Sequence, residues 1–152
     1  MIFEGADRVG KDTAAIIYNE ISNYQDLVIV RAFYSNYIYD IKYERGDPIV
    51  WAKYLSEINR SIPSPVVIVL MVAKGKQLKR LNSEYHDDQK VFMANFDSFI
   101  GRTGSVGIVV EADGNKQHLR KKLRELYDFI HSADYVSMRK IVSLQKGDDD
   151  DK

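Results

Sequence analysis

The chain has no cysteine among its 152 residues, which excludes a disulfide framework, thiolate chemistry and any cysteine-based metal site. No apolar run approaches the roughly 20 residues that a membrane-spanning helix needs. The N-terminal residues also lack a basic-then-apolar leader pattern. A cytoplasmic location without a membrane partner is therefore expected. A surplus of one charge sign is missing too: 22 Lys and Arg face 22 Asp and Glu. The bulk attraction that drives binding to a nucleic acid polymer has no source here. That balance hides an asymmetry at the end of the chain. Gly147-Asp148-Asp149-Asp150-Asp151-Lys152 reads as an engineered protease-recognition sequence, and without it the remainder carries about +3. There is no internal repeat and no low-complexity linker, and the length suits one core rather than two. Residues 1–146 are expected to form one domain, with 147–152 an acidic tail outside it.

The most informative stretch that is present runs from Phe3 to Thr13: Phe3-Glu4-Gly5-Ala6-Asp7-Arg8-Val9-Gly10-Lys11-Asp12-Thr13. Two glycines separated by four residues, with a lysine directly after the second, form the pattern of a phosphate-binding loop. Glycine permits the positive φ that turns backbone N–H groups toward an anion. A lysine at that point reaches the β- and γ-phosphates of a nucleotide. Asp12 stands where a Ser or Thr hydroxyl normally meets Mg²⁺. The bland alternative is a glycine-rich turn with Lys11 as a solvated charge.

The surrounding pattern decides between these readings. Ile2-Phe3 predicts a short strand before the loop, and Ala14, Ile17 and Ile21 share one face of a helix running to Tyr24. Leu27 to Val30 reads as a buried strand, and Gly46-Asp47-Pro48 as a helix entry. The next helix carries Trp51, Tyr54, Leu55 and Ile58 on one face. Val66 to Val72 is the strongest strand signal. Gln77 to Leu81 looks helical, Asn82 to Lys90 is a polar stretch, and Phe92, Phe96 and Phe99 share a helix face. Val106 to Val110 predicts a final strand, and Leu119, Leu123, Leu126, Tyr127 and Ile130 the stripe of a last helix. Apolar strands alternating with helices predict an α/β fold: about four parallel strands with helices on both faces. Ligands in such sheets gather at the carboxyl ends of the strands, where the Gly5–Thr13 loop lies.

Glu4-Gly5-Ala6-Asp7-Arg8-Val9-Gly10-Lys11-Asp12-Thr13 resembles the phosphate loop of thymidylate kinases, Glu-Gly-x-Asp-x-x-Gly-Lys-x-Thr. A second stretch, Arg31-Ala32-Phe33-Tyr34-Ser35-Asn36-Tyr37-Ile38-Tyr39, resembles that family's Asp-Arg-(Tyr/His)-x-x-Ser-x-x-x-Tyr motif at Arg31, Ser35 and Tyr39. The resemblance implies a P-loop NTP hydrolase-type sheet and transfer of the ATP γ-phosphoryl group to a deoxynucleoside monophosphate, dTMP first. It implies that Asp7, Arg8, Val9, Gly10, Lys11, Asp12 and Thr13 hold the donor phosphates. Arg8, Lys11 and Arg80 would be the catalytic cations, Arg80 acting at the start of a lid formed by Asn82 to Gln89. Asp7, Arg31, Phe33, Ser35 and Tyr39 would hold the acceptor. The partners implied are ATP, Mg²⁺ and the acceptor nucleotide, and a homodimer through helices flanking the sheet.

Two departures bear on that expectation. Val30 replaces the aspartate that supports Mg²⁺ in the second motif. Asp12, with Thr13, is then either a relocated metal-side carboxylate or simply an acidic residue favoured at a helix N-terminus. The Phe-Pro-x-Arg element that reads the base in the family is absent. Two other readings therefore stand beside the monophosphate kinase: a deoxynucleoside kinase, and a reduced P-loop protein that binds nucleotide without transferring phosphate.

Overall fold

The computed structural model describes residues 1–132 and 142–143. Its elements, in chain order, are β1 (Ile2–Glu4), α1 (Lys11–Ile21), β2 (Ile29–Val30), α2 (Phe33–Lys42) and α3 (Ile49–Ser61). They continue with β3 (Val67–Ala73), α4 (Gly75–Lys79), α5 (Ser83–Thr103), β4 (Val106–Ala112), α6 (Lys116–Ile130) and β5 (Val142–Ser143). The strands make one all-parallel sheet in the order β2-β1-β3-β4-β5. Four of them lie within residues 1–132, as the apolar runs predict. The fifth is a two-residue strand after α6, where the sequence showed no strand signal. The expected acidic tail, 147–152, lies outside the described residues.

Why the sheet is parallel follows from the side chains. All seven residues of β3 are buried, so helices must cover both of its faces. Helices α1 and α6 pack together over β1, β2 and β4, while α2, α3 and α5 pack together, with α5 against β3 and β4. The Phe92, Phe96 and Phe99 stripe of α5 is buried as expected and surrounds the Tyr34 ring, with ring centroids 4.9–5.5 Å apart. Gly107 lets that helix approach: a Cβ there would lie 2.7 Å from Ile100 Cγ1. No helix among the described residues is long and apolar enough to cross a membrane.

Two expectations change. Leu27 to Val30 is not a buried strand: β2 has two residues, with Leu27 76% and Ile29 42% exposed. The reason is position, since among the described residues β2 is the sheet edge and its outer side has no neighbouring strand. Nor is Asn82 to Gln89 a loop lid. Asn82 caps α5 by accepting the Tyr85 N–H at 3.0 Å, and the polar residues after it form the first turns of a 21-residue helix. Asp88 and Gln89 are buried there, with Gln89 both accepting the Ala73 N–H at 2.7 Å and donating to its carbonyl at 3.1 Å.

The topology fixes where a ligand can sit. From β1 the chain moves to one side to make β2, then recrosses to make β3 on the other side. The strand order therefore reverses at β1, and the crevice beyond its carboxyl end is the binding position in open α/β sheets. The Gly5–Gly10 loop occupies it.

Candidate functional site

The loop has a backbone only particular residues can adopt. Gly5 has φ +141°, and a Cβ there would stand 2.6 Å from the Met71 carbonyl oxygen of the adjacent strand. Arg8 has φ +65° and Gly10 φ +101°. Gly10 is the N-cap of α1 and no side chain caps the helix, so the first amides of α1 face the crevice without a side-chain acceptor. These amides and the helix dipole favour an anion at that place.

Lys11 lies inside this turn. Its Nζ donates to the carbonyls of Gly5 at 2.8 Å and Ala6 at 2.7 Å, and the side chain is buried. Burial pulls the ammonium down to about 8, against the nearby Glu4 and Asp12 carboxylates, which favour the charge. Asp12 is exposed in the first turn of α1, and Thr13 follows it half-buried.

The second motif meets the loop from β2. The Arg31 N–H donates to the Phe3 carbonyl at 3.0 Å, and Arg31 itself takes φ +62°. Its guanidinium forms an ion pair with Asp7, and lies over the Tyr39 ring at 5.7 Å. Asp7, Arg8, Lys11, Asp12, Thr13 and Arg31, with Gly10, Val30 and Gln77, line one open pocket of about 530 Å³. A smaller pocket of about 170 Å³ shares Gly10, Thr13 and Gln77 and continues between Val9, Arg80 and the β4–α6 turn at Gly114-Asn115-Lys116.

Phe33, Ser35 and Tyr39 line neither pocket. Phe33 packs against the core, and Tyr39 meets Phe92 edge-on at 5.8 Å while the Arg31 guanidinium lies over its ring. The Ser35 hydroxyl is committed elsewhere: it is buried and bonds to the Glu4 carboxylate. Arg80 is exposed at the end of α4, with Nη1 3.3 Å from Gln77 Oε1.

Three contributors escape sequence reasoning. Glu4, fully buried, accepts the N–H groups of Ala32, Tyr34 and Ser35 at 3.0–3.2 Å. Its signal was available: an acidic residue closing an apolar strand needs a partner. Gln77 donates to the Arg8 carbonyl at 2.6 Å and so ties α4 to the loop. Asn115 caps α6 by accepting from the amides of Gln117 and His118 at 2.9 and 3.1 Å. Beside it Asp113 pairs with His118 at 2.7 Å, which holds the Asp113 carboxyl below its usual range. Among the described residues, no group of three or more acidic or histidine side chains is arranged to hold a metal.

No family model, curated protein or solved structure matches the chain.

Proposed function

We propose that the chain is a nucleoside monophosphate kinase, moving the γ-phosphoryl group of ATP to a deoxynucleoside monophosphate, with dTMP the first acceptor to test. One observation carries this reading. A lysine-bearing glycine loop, continuous with an uncapped helix N-terminus, shares a pocket with an arginine that directly follows a different strand. A nucleotide-binding turn needs the first element alone. Transfer between two phosphates needs cations on both sides of the transferred group.

In this reading Lys11 and the amides at the start of α1 hold the donor phosphates. Arg8 stabilises the phosphoryl group in flight, whose charge is spread over its equatorial oxygens. Arg31, oriented by Asp7, holds the acceptor phosphate, and Arg80 closes over the donor from α4. Mg²⁺ needs only one or two protein oxygens beside phosphates and waters, and Asp12 and Thr13 supply that set. Held there, the ion would offset the negative charge of the donor phosphates. The reaction then rests on positioning and fixed charge.

Nucleotide binding without transfer is the second reading. It is favoured by Lys11, whose ammonium donates to the loop's own carbonyls, and by Val30 in place of a metal-side carboxylate. For the deoxynucleoside kinase, the residues directly after β2 are Arg31, Ala32 and Phe33, which include no carboxylate to activate a hydroxyl. ADP release measured with ATP, Mg²⁺ and a panel of monophosphates and nucleosides separates all three. Turnover with monophosphates only is expected. Thermal stabilisation by ATP with no turnover in any arm would replace the kinase by the binding protein.

A further inference from the structure

Glu4 is the most heavily committed side chain in the neighbourhood of the loop, and the proposed transfer does not use it. One carboxylate oxygen accepts three amides from the start of α2, at 3.1 Å from Ala32, 3.0 Å from Tyr34 and 3.2 Å from Ser35. The other takes the Ser35 hydroxyl. A helix N-terminus beside a phosphate site would ordinarily draw an anion from solution. Here the chain supplies its own, so α2 offers its amides to Glu4 and not to a substrate.

That arrangement has a consequence for the residue between the two anchors. Arg31 is held on its N-terminal side by the β1–β2 pairing, through its N–H to the Phe3 carbonyl at 3.0 Å. On its C-terminal side Ala32, Tyr34 and Ser35 are all fastened to Glu4. In between, Arg31 adopts a left-handed φ of +62°, a strained conformation for a residue with a Cβ. Such a conformation persists where its surroundings over-determine it. Phe3 and Glu4 are consecutive residues of β1, and Gly5 opens the loop directly after them. One short segment thus sets both the phosphate loop and the arginine opposite it.

We propose that Glu4 is a positioning residue for the acceptor side: its carboxylate fixes the α2 entry and thereby aims Arg31 at the acceptor phosphate. This rests on the kinase reading of the site, with Arg31 as its acceptor cation. Glu4 touches no substrate and moves no proton. Ser35, which was expected to touch the acceptor, acts through Glu4 in the same device.

The test is a double-mutant cycle on the full chain between Glu4→Gln and Arg31→Ala. Glu4→Gln keeps the shape and removes the charge that strengthens the amide bonds. It is expected to raise the KM for the acceptor monophosphate about tenfold, leaving kcat and the KM for ATP within about twofold. Ser35→Ala, which removes one bond and keeps the carboxylate, should move the same constant by a smaller factor. In the Arg31→Ala background, Glu4→Gln should add nothing, because its effect travels through that arginine. A purely structural carboxylate would raise both KM values, lower the melting temperature and act equally in either background; that pattern overturns the proposal. If the wild-type chain turns over no monophosphate, the kinase reading falls, and the same cycle is read on the dissociation constant for inorganic pyrophosphate. Coupling there sustains the positioning role without the kinase. Additive effects, or no Arg31-dependent binding at all, end it.

Discussion

Two pockets meet at Gly10, Thr13 and Gln77, and their linings differ in kind. The smaller is walled by Val9, Ala112 and Leu119, with the Gly114-Asn115-Lys116 turn and the exposed Arg80 at its edges. The larger is ringed by Asp7, Arg8, Lys11, Asp12 and Arg31. An unpaired charge is costly against apolar walls, so on the proposed reading the phosphates would take the larger pocket and a flat, uncharged ring the smaller. The division teaches that one helix start, α1, can serve both ends of a nucleotide. Lys11 and Asp12 line the charged side, Val9 lines the apolar side, and Gly10 and Thr13 line both. The charged side is also where the second strand contributes, and the apolar side is built by β4 and the turn after it.

The largest test of this division is Lys11→Met. Turnover should fall by roughly a thousandfold, the scale on which a fixed transition-state cation acts. The melting temperature should hold or rise, since a buried ammonium is removed from the loop. A loss of folding together with activity would show that the lysine serves the turn's own carbonyls first.

The wall shared by loop and sheet is tested by its glycines. Gly5→Ala brings a Cβ within 2.6 Å of a backbone oxygen at a φ of +141°, and should destabilise the chain by roughly 2–4 kcal/mol. Gly10→Ala meets no atom within 4 Å and carries only the strain of its φ, about 1–2 kcal/mol. Chemical denaturation reads both, and equal losses would remove the claim that Gly5 is held by the approach of β3.

These two glycines also mark how far the sequence could be read. The loop spacing, the apolar β3 run and the Phe92, Phe96, Phe99 stripe each declare themselves locally, so the strand–loop–helix unit and the parallel sheet were legible. Leu27 to Val30 misled because β-branched residues state a preference for strand and nothing about which strand is the edge. Asn82 to Gln89 misled because its polarity hid a cap: Asn82 opens a helix, and Asp88 and Gln89 are buried through partners far away in sequence, Lys42 and Ala73. The candidate site split in the same way. Asp7 through Thr13 are neighbours in the chain and came as a set. Arg31 reached them through a motif, whereas Gln77 and the Gly114–Lys116 turn arrive only by the packing of β3 and β4.

Substitutions on opposite sides of α1 should separate the two pockets kinetically. Arg31→Ala is expected to raise the acceptor KM by roughly 30- to 100-fold with the KM for ATP nearly constant, as for loss of one charge-assisted contact to phosphate. Arg80→Ala should do the converse more weakly, raising the KM for ATP roughly tenfold, because the side chain is exposed and its guanidinium bonds Gln77 at a long 3.3 Å. If Arg80→Ala moved the acceptor constant instead, the assignment of the smaller pocket to the donor would be reversed.

The smallest expected effect is a pH dependence, and it turns on sign. Lys11 titrates at about 8 in the folded chain against 10.5 for an ordinary lysine. Between those values the unfolded chain carries a proton that the folded chain has shed, so this group's contribution to stability rises with pH across that window. Phosphate binding needs the charged form, so affinity moves the other way. From pH 7.0 to 8.5 the charged fraction of a group with that value falls roughly fourfold, and the ATP dissociation constant of the free chain should rise by about that factor. Lys11→Arg, which stays charged throughout, should flatten both curves. Calorimetric titration of ATP and melting curves across that range give the two slopes, which must be opposite in sign. Slopes of the same sign would place the titrating group outside the loop and leave the charged pocket without its central cation.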